Sequence, residues 1–155
     1  MNTYIIDGNN LIGKMKFLSA IQKKDKQASR EKLTNILNRY FSGKKARISL
    51  HLDGHPNIAL PFCKGSIHYS LKQPSDNLIK KEIENSKNPR LIILVSSDHN
   101  LIDFGRVCGC TIITSDEFSD LIAKSLEKND EQEKIQQLEK QKDEFLRLFQ
   151  NRGKK

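Results

Sequence analysis

The run from Leu91 to Val95 is the most continuously apolar stretch of the chain, and it stops abruptly at Ser96-Ser97-Asp98. A short apolar run without polar alternation is typical of a parallel β-strand that is covered on both faces. Such a strand needs helices on both sides of its sheet, so this run favours an α/β fold.

The same arrangement recurs along the chain, because each β-type segment runs into polar residues that precede a helical segment or a loop. The predicted strands are Thr3–Asp7, Ala46–Asp53, Ser66–Leu71, Leu91–Val95 and Cys110–Thr114. The predicted helices begin at Leu11, Ser29, Ser75, Leu101 and Phe118, with Ser29 and Ser75 as N-caps. This alternation predicts a mainly parallel sheet. The connection between the second and third strands is short for a parallel crossover, which usually takes about a dozen residues or more.

The positive charge of the chain is concentrated in one stretch. The net charge is +8, and eleven basic residues against two acidic ones lie between Lys14 and Arg47. A localised basic surface suits a polyanionic partner, although a solvated helix face is an equally simple explanation. The residues that we expect to contact such a partner are Lys14, Lys16, Lys23, Lys24, Lys26 and Arg30.

Cysteine usage and hydropathy indicate the compartment. The three cysteines are an odd number, and Cys108-Gly-Cys110 lacks the spacing of a zinc site and a second pair to complete one, so neither a disulfide framework nor a cysteine zinc site is expected. The N-terminus leads directly into a strand, without the pattern of a secretory signal. No apolar run approaches the roughly 20 residues that cross a bilayer. We therefore expect a cytoplasmic protein without a membrane partner.

Acidic side chains follow the predicted strands at corresponding places. Asp7, Asp53, Asp98 and the more distant Asp116 lie where strands end, and Asp76 lies in the first turn of a helix. The carboxyl ends of parallel strands share one edge, so these acids can converge there. Converging carboxylates repel one another unless a cation lies between them, and oxygen ligands suit Mg²⁺ or Mn²⁺.

Simpler roles for the same residues are also compatible with the sequence. Asp7-Gly8-Asn9-Asn10 fits turn chemistry, in which Gly8 permits a tight turn and the amides satisfy loop groups. Asp76 fits an acid that complements a helix dipole. If the site is functional, Asn9, Asn10 and Ser97 are its expected supporting residues.

The ordered set of strand-end motifs resembles a known family. The segments that carry the resemblance are Tyr4–Asn10, Leu52-Asp53, Tyr69–Asp76, Val95–Asp98 and Gly109–Phe118. In this order they resemble the NYN domains of the PIN-like nucleases, and the YacP-like bacterial branch in particular. The resemblance runs from Met1 to about Leu126, so residues 1–126 are the expected nuclease domain and residues 127–155 a charged helical C-terminal extension.

The resemblance implies a three-layer α/β/α sandwich and metal-dependent endonucleolytic cleavage of single-stranded RNA, with mRNA as the expected class. Carried over by position, Asp7, Asp76 and Asp98 are the implied catalytic and metal-binding acids, with Asn9 beside them and Asp53 as a further metal ligand. Asn77, His99 and Asn100 depart from the family pattern. The smaller acidic set leaves open whether one metal ion or two are bound.

Other functions remain open on the sequence alone. A non-catalytic RNA-binding or ribosome-associated module could use the same fold. A histidine pair could cleave RNA through its 2′-hydroxyl without metal; the four histidines are His51, His55, His68 and His99. A phosphatase or phospho-receiver is disfavoured because Asp7 is followed by Gly-Asn-Asn and not by a second acid two residues on.

The C-terminal extension has sparse apolar positions at helical spacing, among them Ile135, Leu138 and Phe145. This pattern is compatible with a homodimer through the C-terminal helix, with another partner, or with a helix that folds back on the domain. It is shorter than the heptad run that identifies a coiled coil.

Overall fold

The computed structural model describes residues 1–57 and 59–152. Its elements in chain order are β1 (Asn2–Asp7), α1 (Gly8–Lys14), α2 (Lys16–Lys24), α3 (Lys26–Tyr40), β2 (Ala46–Leu52), β3 (Gly65–Tyr69), α4 (Ser75–Asn85), a 3₁₀ turn (Pro89–Leu91), β4 (Ile92–Val95), α5 (His99–Cys108), β5 (Thr111–Ile113) and α6 (Ser115–Arg152).

The five strands form one parallel sheet in the order β3-β2-β1-β4-β5. The predicted α/β class and parallel five-stranded sheet are thereby confirmed. The pair β2 and β3 is parallel although only residues 53–64 connect the two strands. This connection has about the minimum length of a parallel crossover, and none of its described residues is helical.

Helices cover both faces of the central strand β1, whose Ile5 and Ile6 are fully buried. Ile5 packs with apolar residues of α4, α5 and β4 in one core cluster. On the opposite face Tyr4 contacts Phe41 and Phe118, with ring centroids 4.8 and 6.2 Å apart. Burial of these faces supplies the main driving force for this arrangement, which is a three-layer α/β/α sandwich.

Several helix starts differ from the sequence prediction. The cap of α3 is Asp25, whose carboxylate accepts the Ala28 amide at 3.2 Å, and not Ser29. Ser29 is buried and donates its hydroxyl to the Leu18 carbonyl at 3.1 Å, which joins α3 to α2. The helix predicted from Leu11 is divided at Met15, which has extended backbone angles.

The helices that follow β3 and β5 also start elsewhere. Helix α4 includes Ser75 and has Pro74 at its N-cap position, so Ser75 is not the cap. Helix α6 begins at Ser115, three residues before the predicted start, because the polar residues after β5 already belong to its first turn.

The chain divides into two compact units between Leu121 and Ile122. The second unit consists of the remainder of α6 and exposes Ile135, Leu138, Phe145, Leu146 and Leu148. The division predicted after residue 126 and the homodimer both remain predictions, and residues 153–155 lie outside the described residues. No helix in the described part of the chain has the length and apolar character needed to span a membrane.

Candidate active site at the carboxyl edge of the sheet

Asp7 occupies the last position of β1 and is 5% exposed. The Ser96 hydroxyl donates to its Oδ2 at 3.2 Å. Burial raises the pKa of Asp7 to about 6; the Ser96 hydrogen bond opposes this shift, and the charges of Asp76 and Asp53 add to it. Burial and the charges of two other acids therefore disfavour the ionised form of the Asp7 carboxyl.

Asp76 and Asp98 lie close enough to each other to form a hydrogen bond. Burial raises the pKa of Asp76, the charge of Asp98 and the hydrogen bond to Asp98 raise it further, and Lys80 lowers it. Asp98 caps α5, since its Oδ1 accepts the Asn100 amide at 2.9 Å. The structure thus brings together the four acids that the sequence predicts, Asp7, Asp53, Asp76 and Asp98, as one electrostatically coupled set.

Ser96 joins two of these acids and is not among the residues predicted from the sequence. It is fully buried, donates to Asp7 and accepts the Asp98 amide at 3.1 Å. The only signal for it in the sequence is its place as the first polar residue after an apolar strand. One hydroxyl therefore fixes the spacing between the end of β1 and the start of α5.

Asn9 and Asn10 hold the ends of neighbouring strands. The Asn9 Oδ1 accepts the Asp53 amide at 2.8 Å, which ties the end of β2 to α1. The Asn10 Oδ1 accepts the Ser97 amide at 2.9 Å and the Ser115 hydroxyl at 2.6 Å, which ties the ends of β4 and β5. These contacts support a positioning role for both amides, since their oxygens already accept backbone and hydroxyl donors.

Gly8 is required by space and not by a turn. It is the first residue of α1, and a Cβ at this position would lie 2.7 Å from the His51 carbonyl oxygen and 2.7 Å from Leu52 Cδ2. The predicted reason, a tight turn that needs glycine, is wrong. The absence of a side chain lets α1 start directly against β2, immediately behind Asp7.

Ser97 and Asp116 form the outer side of this edge. The Ser97 hydroxyl accepts the Ser115 amide at 3.0 Å and donates to Asp116 at 3.4 Å. The side chain of Asp116 is 64% exposed and lies 3.9 Å from the Lys14 ammonium group. Asp116 is not among the charges that shift the pKa values of Asp7 and Asp76. It is thus placed beside the acidic set and not within it.

The basic residues predicted to bind RNA fall into two groups. Those with exposed side chains are Lys14, Lys16, Lys23, Lys24 and Lys26, on α1, α2 and the start of α3. Next to them is a groove of about 350 Å³ that Lys26, Gln22, His55 and Asp53 help to line. This groove connects the basic helices with the acidic edge at Asp53.

Arg30 is placed differently from the five lysines, and its contact with RNA stays a prediction. It is 7% exposed, and its guanidinium donates to the carbonyl oxygens of Asp53 and, at 3.0 Å, His55, while lying over the Tyr69 ring. The side chain therefore braces the loop after β2, and it also helps to line the groove that Lys26 and Asp53 share.

Replacing Arg30 with methionine is expected to lower the free energy of unfolding by about 2–3 kcal/mol, because two carbonyls lose charged donors. Urea denaturation measures this change. The exposed Lys32 on the same helix provides the control: Lys32→Gln should change stability by less than about 0.5 kcal/mol. If Arg30→Met left stability unchanged and weakened RNA binding, the guanidinium would contact RNA and would not brace the loop.

The donor type of the acidic set suits a divalent metal ion, although the ligand atoms of these acids do not converge as closely as those of His51, His68 and Glu82. Its donors are carboxylate oxygens, which hard cations such as Mg²⁺ and Mn²⁺ prefer. Burial and, to a smaller extent, neighbouring carboxylates raise the pKa of Asp7 and that of Asp76, and Lys80 lowers the pKa of Asp76. Asp7, Asp76 and Asp98 could hold such an ion, with Asp53 at the outer side.

A second group of titratable residues lies under α4. Within the described residues, His51, His68 and Glu82 have ligand atoms that all lie within 4.8 Å of one another. Burial lowers the pKa of His68, and His51 lowers it further. Burial alone would raise the pKa of Glu82, but contacts with His51 and Ser49 lower it overall. The other two histidines, His55 and His99, are exposed.

The fold and the acidic edge define the class of protein: a parallel α/β domain with acids at the carboxyl edge of its sheet. The sequence matches the model of the YacP-like NYN domain over residues 4–152, so the chain belongs to that family. The match extends past Leu126, the expected end of the resemblance, into the C-terminal extension. NYN domains are generally nucleases that act on RNA, and they typically depend on divalent metal ions.

Solved structures share this fold. A crystal structure of a point mutant of Rae1 (YacP) from Bacillus subtilis is 17% identical and covers 82% of this chain and 79% of that chain, with a TM-score of 0.67. Another crystal structure of Rae1 (YacP) from Bacillus subtilis is 20% identical and covers 97% of this chain and 93% of that chain, with a TM-score of 0.61. At these identities the likeness shows the fold. No curated protein matches the sequence.

Proposed function

We propose that this protein is a metal-dependent endoribonuclease that hydrolyses phosphodiester bonds of single-stranded RNA, with mRNA as the expected substrate class. The observation that carries the proposal is the coupling of Asp7, Asp76 and Asp98 in one partly buried set at the carboxyl edge of the sheet. Membership of the YacP-like NYN family supports it.

In this proposal Asp7, Asp76 and Asp98 hold Mg²⁺ or Mn²⁺, and Asp53 contributes from the outer side. A bound ion of this kind supplies Lewis acidity and a nucleophilic water for phosphodiester hydrolysis, which would leave a 5′-phosphate and a 3′-hydroxyl. The protein's own contribution is positional. Ser96 fixes the spacing of two acids, and the amides of Asn9 and Asn10 hold the strand ends that present them.

The RNA would approach along the exposed lysines of α1, α2 and α3. The groove that Lys26 and Asp53 share gives the RNA backbone a path from the basic helices to the acidic edge. The acidic edge would repel a phosphate that these lysines bind, because both are negatively charged. A metal ion at the edge would offset this repulsion and allow the phosphate to approach.

The test is cleavage of labelled single-stranded RNA with Mn²⁺, Mg²⁺ or EDTA. We expect cleavage with metal, none with EDTA, and a decrease of about 100-fold or more in Asp98→Asn. Asparagine also caps helices well, so this variant keeps the start of α5 intact. The matched control is Asp103→Asn, an exposed acid on α5, which should retain the wild-type rate.

Two outcomes would contradict the proposal in different ways. Cleavage that survives EDTA and the Asp98→Asn change would indicate the metal-free histidine route. RNA binding without cleavage under every metal condition would indicate the non-catalytic RNA-binding or ribosome-associated module.

Removing the charges of Lys23, Lys24 and Lys26 together should reduce the salt dependence of RNA affinity. Each lysine–phosphate pair contributes about 0.7 to the slope of log K against log salt for single strands, so we expect the slope to decrease by about 2. Fluorescence anisotropy across a salt series measures it. The control is the triple alanine variant of Lys81, Lys87 and Arg90, all exposed, whose slope should match the wild type. An unchanged slope in the variant of Lys23, Lys24 and Lys26 would show that these lysines do not contact RNA phosphates.

We also propose that residues 1–126 form the nuclease domain and that residues 127–155 serve association, with a second copy of the chain or with the ribosome. The exposed apolar side chains between Ile135 and Leu148 support this role, since large apolar side chains on a charged helix favour contact with a partner.

A further inference from the structure

The group formed by His51, His68 and Glu82 is built from three separate elements. His51 lies on β2, His68 is its register partner on β3, and Glu82 projects from α4. Their ligand atoms lie within 4.8 Å of one another. The two imidazole rings stack at 4.8 Å with an interplanar angle of 20°. Three potential metal ligands therefore converge beneath one helix.

Hydrogen bonds orient each of these side chains. Glu82 Oε1 accepts the Ser49 hydroxyl at 2.5 Å and lies 2.9 Å from His51 Nε2. The Ser66 hydroxyl lies 2.9 Å from His68 Nε2. Residues that ligate metal ions are commonly held by outer hydroxyl and carboxylate partners of this kind. The group thus has the supporting contacts that orient metal ligands.

A simple ion pair between His51 and Glu82 does not account for the whole arrangement. His51 is 2% exposed, and its Nδ1 is buried without a hydrogen-bond partner among the described residues. A buried nitrogen without a partner is costly. The stacking of the second imidazole follows from the register of β2 and β3, which places His51 and His68 side by side. A cation shared by the group would give both imidazoles and the carboxylate a common partner once the rings turn so that a nitrogen lone pair of each faces the ion.

We propose that His51, His68 and Glu82 form a binding site for a transition-metal ion of the Zn²⁺ class, separate from the carboxylate site. Two imidazoles and one carboxylate are a donor set that Zn²⁺ and its borderline neighbours favour, whereas Mg²⁺ prefers oxygen donors alone. A cavity of about 380 Å³, which Ser66, His68, Glu82 and Asn85 help to line, leaves room for a fourth ligand such as water.

The position of the site suggests what the ion does. It would fasten the edge strand β3 and helix α4 to β2. Helix α4 also carries Asp76 in its first turn, and His51 is the register partner of Asp7. A metal ion here therefore braces two of the elements that carry the acidic set, and it acts as a structural clamp behind the nuclease site.

The experiment uses the full chain stripped with EDTA and titrated with Co²⁺ and Zn²⁺. We expect one equivalent of Co²⁺ to develop visible absorption typical of nitrogen-containing low-coordinate sites, and Zn²⁺ to displace it. Calorimetry gives the Zn²⁺ affinity. Both His68→Gln and Glu82→Gln should weaken it by about 10–100-fold or more. The exposed His99 supplies the control His99→Gln, which should bind Zn²⁺ as the wild type does.

Asp98→Asn separates the two metal sites, because it removes an acid of the other site and should leave Zn²⁺ affinity unchanged. Loss of Zn²⁺ binding in Asp98→Asn, or wild-type binding in both His68→Gln and Glu82→Gln, would overturn the proposal. Thermal unfolding in EDTA establishes that each variant is folded before titration. The readout is binding alone, so its outcome does not depend on whether the protein cleaves RNA.

Discussion

Replacing Asp7 with asparagine is expected to abolish RNA cleavage and, at the same time, to stabilise the metal-free protein near neutral pH. Asp7 is the most buried acid of the set, and burial raises its pKa from 3.8 to about 6. Ionising it in the folded protein therefore costs free energy, by up to about 3 kcal/mol at about 1.4 kcal/mol per pKa unit. Asparagine keeps the shape and an acceptor for Ser96 without this cost.

The pH dependence follows from the direction of the shift. Below the unfolded-state value of 3.8 the carboxyl is protonated in both states and costs nothing, whereas above the folded value of about 6 it is ionised in both and the full cost is present. In EDTA, the wild type should therefore lose stability relative to Asp7→Asn as pH rises through this window.

Urea denaturation of both proteins in EDTA, at about pH 4 and about pH 7.5, measures this difference. Cleavage of labelled RNA with Mn²⁺ should fall by about 100-fold or more in the variant. The exposed Asp103 on α5 provides the control, since Asp103→Asn should change neither quantity. If Asp7→Asn lowered the free energy of unfolding equally at both pH values, ionisation of the wild-type carboxyl would carry no cost in the folded protein.

Replacing Gly8 with alanine should destabilise the domain by about 1–3 kcal/mol, because overpacking a close contact forces the backbone to move. The added Cβ would meet the His51 carbonyl and the Leu52 and Leu50 side chains at 2.7–3.0 Å. The displacement would start one residue from Asp7, so we also expect a large decrease in RNA cleavage.

Gly13 is a matched control within the same helix. Nothing lies within 4 Å of a Cβ there, so Gly13→Ala should be neutral or stabilise the protein by about 0.5–1 kcal/mol. Thermal unfolding and RNA cleavage of the two variants give the comparison. Wild-type stability in Gly8→Ala would mean that α1 does not pack closely against β2.

Strand identity is predictable because apolar runs and alternation are local properties. Leu91–Val95 indicates an interior strand, and β4 is one, although it starts at Ile92 after a 3₁₀ turn. The convergence of Asp7, Asp76 and Asp98 is also predictable, since a parallel sheet places all its carboxyl ends at one edge.

Contacts between distant elements are not predictable in this way. Whether Arg30 binds RNA or braces a loop depends on the position of the Asp53 and His55 carbonyls, which no local pattern specifies. The same is true of Glu82, whose approach to His51 depends on how α4 lies across the sheet. The sequence indicates the chemistry of each side chain but not its partner.

The strand order also determines when the acidic edge can form as the chain folds. The bond from Ser96 to Asp7 closes a sequence separation of 89 residues, and the bond from Ser115 to Asn10 closes one of 105. A growing chain that ends after α4 contains Asp7 and Asp76 but lacks Asp98 and the groups that fasten the edge. Because long loops must close before these bonds form, we expect the acidic edge to form late in folding and in synthesis.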